Sequence, residues 1–252
     1  MKYEHLPALA DRLVRMKLVV LSGAGISKES GLDTFRDRDG LWSKIDCSQF
    51  ATPEGFDAHP KDVLDFYNDL RLWVHAAQPN HAHRLLAELE QWHDVCIITQ
   101  NVDDLHERAG SKHVIHMHGD LRKVTSSRNR LDPASIREWP LDVPIRLGDL
   151  AADGSQLRPC VVWFGEYLSG TDAIYEQVRN ADIFLVIGTS LTIAPASRLI
   201  EHTHPAIPKF AINLEEVPVP ENVEFIKATA TAGIDIFVDR IIELTRSDAP
   251  EA

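Results

Sequence analysis

The sequence has few cysteines and no long apolar run. Its 252 residues include only three cysteines, Cys47, Cys96 and Cys160, which are far apart in the chain. This odd number argues against a disulfide framework and favours a reducing compartment, so we expect a cytoplasmic protein. No stretch reaches the roughly 18 consecutive apolar residues of a membrane-spanning helix. Residues 1–5 do not begin a secretory signal, because no apolar segment follows a cationic one.

Positive charge is also scarce. Lysine and arginine total 26 against 38 aspartates and glutamates, which gives a net charge of −12. A protein that binds the phosphate backbone of nucleic acids needs a basic face, so we expect no nucleic-acid partner, and we expect no membrane partner either. The acidic balance suits cationic partners such as lysine-rich segments. Nothing in the sequence specifies an oligomeric state.

Short apolar runs alternate with helical patterns along the chain. The runs are rich in Val and Ile and almost continuous, which is typical of parallel strands covered on both faces. They lie at residues 17–22, 95–99, 160–163, 182–187 and 209–213, and the helical patterns lie at 60–74, 81–91, 171–180, 195–201 and 234–244. This order predicts an α/β fold with a doubly wound, Rossmann-like parallel sheet that binds ligands at the carboxyl ends of its strands.

Two stretches interrupt the alternation. Residues 43–78 have a helical pattern, and residues 122–159 are polar, without a clear period and punctuated by four prolines. We therefore predict a main lobe of residues 1–42, 79–121 and 160–252, and a small inserted helical and irregular lobe of residues 43–78 and 122–159.

A glycine-rich turn follows the first predicted strand. Gly23 and Gly25 would let the backbone approach a pyrophosphate, whose charge a helix N-terminus favours. The third glycine of the usual dinucleotide fingerprint is absent, because Lys28 stands at its position. Taken alone, this motif fits a tight turn equally well.

Five further motifs follow this turn in order. With the turn, they are GAGIS at 23–27, TFR at 34–36, TQNVD at 99–103, HMHG at 116–119, FGE at 164–166 and GTS at 188–190. Together they resemble the sirtuin family, especially its bacterial protein-deacylase members, over about residues 15–240. The resemblance implies that NAD is consumed while an acyl group, which we expect to be acetyl, is removed from a lysine of a protein or peptide, giving nicotinamide and O-acyl-ADP-ribose.

Other functions remain open at this stage. An ADP-ribosyltransferase or an NAD glycohydrolase would use the same ribose cation with another acceptor. A module that binds NAD without turnover is a third possibility, against which the presence of His118, Asn101 and Asp103 argues. A dehydrogenase fits least well, because the glycine fingerprint is incomplete.

The resemblance assigns catalytic roles to three residues. His118 matches the catalytic base, and an imidazole that titrates near neutrality can accept a ribose hydroxyl proton. Asn101 and Asp103 would surround the nicotinamide and its ribose, although either could instead cap a following helix. His116, two residues before His118, is expected to point the other way along the same extended segment.

The resemblance also implies binding residues for both substrates. Phe35 would cover the reacting sugar, Glu215 would accept the adenosine ribose hydroxyls and Ala230 would meet the adenine edge. The NAD set is Gly23, Ala24, Gly25, Thr34, Phe35, Arg36, Trp42, Gln100, Asn101, Asp103, Gly188, Thr189, Ser190, Asn213, Leu214, Glu215 and Ala230. The set for the acyl-lysine peptide is Tyr67, Val162, Phe164, Gly165 and Glu166, of which the last four match a segment that pairs with an added strand.

The sequence departs from the family in its small lobe. Most sirtuins hold a structural zinc there with two CxxC pairs, but Cys160 is the single cysteine between Gly119 and Phe164, and Ser126 and Ser127 stand where the first is expected. A tetrahedral thiolate site needs four ligands, so we predict no zinc. We expect an apolar minicore instead, formed by Leu131, Ile136, Trp139, Leu141, Val143, Ile145, Leu147, Leu150 and Leu157.

A second departure concerns the acyl group. Bacterial members that remove succinyl groups carry Tyr-x-x-Arg on a helix, whereas here Leu70 follows Tyr67 at the arginine position and Arg71 comes one residue later. One residue turns a side chain by about 100° around a helix, so Arg71 is not expected to replace that arginine. Asp37 adds negative charge, and both features favour an uncharged acyl group.

Overall fold

The computed structural model describes residues 15–34 and 46–247 of the chain, with the side chains of 245–247 excepted. The strands are β1 Lys17–Ser22, β2 Asp94–Thr99, β3 Val114–His116, β4 Gly119–Ser126, β5 Arg137–Glu138, β6 Leu157–Val161, β7 Ile183–Ile187, β8 Lys209–Asn213 and β9 Glu224–Lys227. The α-helices are α1 Gly25–Lys28, α2 Cys47–Phe50, α3 Pro53–Ala58, α4 Pro60–Ala76, α5 His81–Glu88, α6 Leu105–Ala109, α7 Thr171–Arg179 and α8 Ala230–Ser247, with 3₁₀ turns at Leu89–Gln91 and Ala196–His202.

Six parallel strands form the main sheet, in the order β3-β2-β1-β7-β8-β9. The predicted doubly wound α/β class is confirmed. The chain lays down β1, β2 and β3 in one direction and then returns to the other side of β1 with β7. The order therefore reverses between β1 and β7, and the loops that leave these two strands border the crevice where such sheets bind ligands.

The strands of the main sheet are apolar on both faces, as their sequences predicted. Along β1, Leu18 and Val20 pack on the face covered by α5 and α8. Val19 and Leu21 pack on the other face, which is covered by α7 and the 3₁₀ turn Ala196–His202. All four side chains are fully buried. Alternate residues of one strand thus serve two cores, which fixes its register against both helical layers. Within residues 15–34 and 46–247, no helix is long and apolar enough to cross a bilayer.

A second, antiparallel sheet with the order β5-β4-β6 packs against α3 and α4. The run at 160–163 was predicted to be a strand of the parallel sheet. That prediction is wrong, because β6 ends at Val161 and pairs antiparallel with β4. Apolar content shows that a strand is buried but not which sheet buries it.

The core beneath the small sheet differs from the predicted minicore. Leu64 and Tyr67 of α4 pack with Leu121 and Val124 of β4. Four predicted members are exposed instead of buried, namely Leu131, Val143, Leu147 and Leu150. Leu141, Ile145 and Leu157 are buried as predicted, and Trp139 packs at the edge of the cluster. Helix α4 supplies the apolar surface that those exposed residues were expected to provide.

Candidate active site

Two glycine turns meet where the strand order reverses. Gly23 donates its N–H to the carbonyl of Ile187 at 3.0 Å, and Gly25 donates to that of Gly188 at 2.8 Å. A Cβ on Gly23 would lie 2.6 Å from the Cβ of Thr189, so a side chain there would force the two turns apart. Gly188 has a φ of +64°, a conformation that favours glycine. Packing of one turn on the other thus accounts for these glycines, in addition to their predicted approach to a pyrophosphate.

The loop after β2 is tied to both turns. The N–H of Gln100 donates to the carbonyl of Ser22 at 2.9 Å. Its side-chain Nε2 donates to Oγ1 of Thr189 at 2.8 Å. The structure therefore brings the GAGIS, TQNVD and GTS motifs together at one edge of the sheet, although they are far apart in sequence.

Asn101, Ser27 and Asp103 form a buried hydrogen-bonded group at this edge. Nδ2 of Asn101 donates to Oγ of Ser27 at 3.2 Å, and Oγ of Ser27 donates to Oδ2 of Asp103 at 2.9 Å. Oδ1 of Asp103 also accepts the N–H of Leu105, the first residue of α6, at 3.1 Å. The capping role considered for Asp103 is thus present alongside its place in the group. Ser27 was not assigned a role from the sequence, although it lies within GAGIS.

The Asp103 carboxyl group titrates far from its usual range. Burial raises its pKa to about 6, and the hydrogen bonds from Leu105 and Ser27, together with the charge of His116, oppose that rise. A carboxyl group in this position is ionised at neutral pH and becomes neutral in mild acid.

A cavity of about 260 Å³ opens beside this group. Its polar side is formed by Ser27, Asn101 and Asp103, and Asp33 adds a second carboxylate. Its other walls are mainly apolar: Leu32, Val102, and Leu70, Trp73 and Val74 of α4. The cavity can therefore hold a flat or aliphatic group with one polar edge.

His118 lies between β3 and β4, where the two lobes join. Its Nδ1 is 3.0 Å from the carbonyl oxygen of Gln100, which is an acceptor, so Nδ1 carries the proton. In the neutral ring, Nε2 then holds the lone pair that a general base requires. His118 is not among the described residues that line the cavity. Its Nδ1 binds the carbonyl of Gln100, the residue immediately before Asn101.

The segment predicted to pair with a substrate peptide is fixed from inside the protein. The N–H groups of Val162 and Phe164 donate to the carbonyls of His118 and Ala51, at 2.8 and 2.9 Å. An added strand would therefore have to use other backbone groups of this segment. Gly165 follows with a φ of +89°.

Glu166 points inward from that turn. Its Oε2 accepts the N–H of Trp163 at 2.8 Å, and its carboxylate forms ion pairs with Arg158 and Arg130. Arg158 also stacks on the Trp163 ring, with its guanidinium carbon 3.8 Å from the ring centre. In the described structure Glu166 therefore holds the turn in place.

Tyr67 and its neighbours on α4 point in different directions. The hydroxyl of Tyr67 accepts a hydrogen bond from Nε1 of Trp163 at 2.9 Å, and the ring is buried. Leu70 faces the cavity. Arg71 is fully buried and donates to Asn68 and to four backbone carbonyls, those of Leu121, Trp139, Pro140 and Val143. Its guanidinium is therefore bound within the small lobe. The one-residue offset from the family motif predicted that Arg71 would not replace the arginine of that motif.

The remaining predicted NAD residues lie along the same edge of the main sheet or outside the described residues. Asn213 ends β8 and donates from Nδ2 to the carbonyl of Glu215 at 2.9 Å, while Leu214 is exposed. Ala230 begins α8 and its methyl group is buried in the main core. Thr34 is buried and Ser190 is exposed. Three of the predicted NAD residues, Phe35, Arg36 and Trp42, lie outside the described ranges, as does Asp37, which was considered for the acyl preference.

The chain is similar to known proteins in sequence and in fold. A model of the Sir2 family matches residues 23–195. NAD-dependent protein deacylases of Bacteroides thetaiotaomicron and Helicobacter pylori are each 45% identical to it, over 86% and 90% of this chain and 94% and 98% of theirs. A mutant Sir2 homologue in complex with ADP-ribose superimposes with a TM-score of 0.81 at 35% identity, covering 95% of this chain and 97% of that one. A Sir2 homologue in complex with NAD gives a TM-score of 0.78 at 36% identity, covering 95% and 94%. The chain therefore belongs to the Sir2 family.

Proposed function

We propose that the protein is an NAD-dependent protein-lysine deacylase that transfers an acyl group, preferably acetyl, from a lysine side chain to ADP-ribose. The observation that carries this proposal is the buried Asn101–Ser27–Asp103 group beside a cavity at the reversal of strand order, with His118 next to it. When bound, NAD supplies the ribose carbon that takes the acyl oxygen as nicotinamide leaves.

Each side chain has a role that its contacts favour. The Asn101 amide and the Asp103 carboxylate offer a donor and acceptors for the nicotinamide carboxamide and the ribose hydroxyls, and Ser27 holds the two in a fixed relation. The Nδ1–H bond from His118 to Gln100 orients the ring, and Nε2 is then the atom that would accept a ribose hydroxyl proton.

The walls of the cavity support a preference for uncharged acyl groups. Leu70 stands where succinyl-removing relatives are expected to carry arginine, and the guanidinium of Arg71 is used elsewhere. The carboxylates of Asp33 and Asp103 line the same cavity, so a negatively charged acyl group placed there would be repelled, and the described lining residues include no cation.

The small lobe does not fit a structural zinc. Ser126, one of the two serines that stand where the first cysteine is expected, is fully buried, and its Oγ accepts the N–H groups of Arg128 and Asn129 at 3.0 and 2.9 Å. The same hydroxyl lies 2.7 Å from Oδ2 of Asp153, which it reaches as a donor. Within residues 15–34 and 46–247, no group of three His, Cys, Asp or Glu side chains is placed to hold a metal ion. We therefore expect hydrogen bonds to supply the cross-linking that a metal would otherwise supply.

The proposed activity is tested with purified protein, NAD and an acetyl-lysine peptide. We expect O-acetyl-ADP-ribose to form in step with nicotinamide, and His118→Ala to abolish both. His113→Ala is the matched control, because His113 is exposed and lies outside the site. Nicotinamide release without peptide would instead support an NAD glycohydrolase, and no turnover of NAD at all would contradict both functions.

The same assay tests the acyl preference when a succinyl-lysine peptide is compared with the acetyl peptide. We expect faster turnover of the acetyl peptide. Metal analysis of the same preparation should find no stoichiometric zinc, and one zinc per chain would contradict the hydrogen-bonded arrangement around Ser126.

A further inference from the structure

His116 lies against the loop that carries Asn101 and Asp103. It is the last residue of β3 and is paired with Thr99 of β2. Its Nδ1 is 3.0 Å from the carbonyl oxygen of Asn101, and its Nε2 is 2.8 Å from Oε1 of Glu107 in α6. The side chain is only 11% exposed. One ring thus bridges the start of the loop and the helix that follows it.

Both partners of the ring are acceptors. A backbone carbonyl and a carboxylate accept hydrogen bonds but do not donate them, whereas a neutral imidazole has a single N–H. Only the doubly protonated ring satisfies both contacts. Burial acts against this charge, but the hydrogen bond and charge of Glu107 and the charge of Asp120 outweigh it and raise the pKa of His116. The titratable groups whose charges act on the ring are Glu107 and His106 of α6, Asp120 of β4 and Asp103 of the loop.

Glu107 continues the chain of contacts into the small lobe. Its Oε1 also accepts from Nη2 of Arg122 in β4 at 2.7 Å. Arg122 in turn donates from Nη2 and Nε to the two oxygens of Asp120, at 2.7 and 3.0 Å. Two cations and two anions therefore alternate from the Asn101 loop to the small sheet. His116 and Asp120 are largely buried, whereas Arg122 is 30% exposed, so the network is partly shielded from water and its hydrogen bonds are charge-assisted.

The backbone of Asn101 is held on both sides. Its N–H donates to Oγ1 of Thr99 at 3.0 Å, and its carbonyl is held by His116. Since the Asn101 side chain reaches Ser27 and, through it, Asp103, the orientation of this peptide unit sets where the amide and the carboxylate point.

We propose that His116, as a doubly protonated ring, is a positioning residue: its Nδ1–H holds the Asn101 carbonyl and so fixes the Asn101 amide and the Asp103 carboxylate for reaction, while its bond to Glu107 orients the ring. This role rests on the proposed deacylase function. His116 itself contacts no substrate atom in this account.

Two substitutions separate the two bonds of the ring. His116→Asn keeps a donor near the position of Nδ1 and can still hold the Asn101 carbonyl, whereas His116→Gln keeps a donor near Nε2 and can hold only Glu107. We expect kcat of His116→Asn to stay within about threefold of wild type. For His116→Gln we expect a loss on the order of tenfold to a hundredfold in kcat, with the KM for peptide nearly unchanged, because misplaced groups slow the reaction more than they weaken binding.

Matched controls separate this role from general destabilisation. His113→Asn and His113→Gln change an exposed histidine three residues earlier and should leave kcat unchanged. Thermal unfolding of all four variants shows whether each is folded at the assay temperature. Equal losses of kcat in His116→Asn and His116→Gln would overturn the proposal, because a purely structural ring would not distinguish its two nitrogens.

The charge of the ring is tested without any enzyme assay. A ¹H–¹⁵N spectrum of the histidine rings in the protein without ligands should show both nitrogens of His116 protonated at neutral pH. In Glu107→Gln the ring should lose its second proton at lower pH than in wild type. A neutral His116 tautomer at neutral pH would overturn the proposal even if the enzyme is active. If the spectrum is as expected but acetyl peptide is not turned over, the deacylase proposal fails and the charged ring stands.

Discussion

Replacing Ser126 by alanine should destabilise the protein measurably. The hydroxyl is fully buried at the end of β4, where it accepts two backbone N–H groups and donates to Asp153. Ser126→Ala removes these three hydrogen bonds at once, together with the 2.8 Å contact between the hydroxyls of Ser126 and Ser155. It leaves the N–H groups of Arg128 and Asn129 without their acceptor, although both residues are exposed, so water can reach the turn.

The size of the effect follows from these bonds. A hydrogen bond contributes about 1 kcal/mol net, and solvation of the exposed turn recovers part of the loss, so we expect the free energy of unfolding to fall by about 2–3 kcal/mol. For a folded chain of this size, each kcal/mol lowers Tm by about 2–4 °C, which gives a decrease of about 4–12 °C.

The neighbouring serine provides the control. Ser127 is half-buried, and its backbone N–H, which alanine retains, donates to the carbonyl of Gln156. Ser127→Ala should therefore change the free energy of unfolding by no more than about 0.5 kcal/mol. Urea and thermal unfolding are measured for both variants, with and without a metal chelator. Equal stability of the two variants would refute the reasoning, and a chelator that lowers the Tm of wild type would show that a metal holds the lobe.

Three further substitutions test other parts of the site. Leu70→Arg should raise kcat/KM for a succinyl-lysine peptide relative to an acetyl-lysine peptide on the order of tenfold, since it adds a cation beside Tyr67, and an unchanged ratio would contradict the role of the cavity wall. Arg71→Leu should lower the free energy of unfolding in urea by about 3 kcal/mol, because four backbone carbonyls lose their donor, and a loss below about 1 kcal/mol would contradict this. Ser27→Ala should raise the pKa of Asp103 further above its usual range, because the hydroxyl favours the ionised form, so the acid limit of kcat/KM for NAD should move to higher pH.

The main sheet could be predicted because its strands are buried on both faces. Runs such as Leu18 to Leu21 are apolar at every position, and only a layer on each side explains that pattern. The small sheet could not be predicted in the same way. β4 contains Lys123, Thr125 and Ser126, which break the apolar pattern, and the buried Ser126 hydroxyl binds Asp153, 27 residues away, which a local pattern does not reveal.

The sequence predicted those site residues that lie in recognisable motifs and were matched to a role. Gln100 and Asn101 follow a strand within a recognisable run, and the structure places them beside the glycine turns. Ser27 was missed because its partners, Asn101 and Asp103, lie 74 and 76 residues further along the chain. His116 was expected to point the other way from His118, and the sequence did not indicate that its ring would bind the Asn101 carbonyl, next to the Gln100 carbonyl that His118 binds. A sequence shows that two histidines are present, whereas the roles of His116 and His118 depend on which backbone carbonyl each imidazole binds.

Asp103 and His116 together should set the pH range of the enzyme. Asp103 has a raised pKa of about 6, so its ionised form is lost as pH falls below that value, and the charge of His116 keeps the pKa from rising further. The pKa of His116 is also raised. As pH rises above that pKa, the ring loses its second proton and can no longer donate to both the Asn101 carbonyl and Glu107. His116→Asn removes this charge but keeps a donor for Asn101. The acid limit of kcat/KM for NAD should therefore move to higher pH while the alkaline decline of kcat becomes weaker. An alkaline decline as strong in His116→Asn as in wild type would contradict this expectation, since His116 would then not be the group that sets that limit.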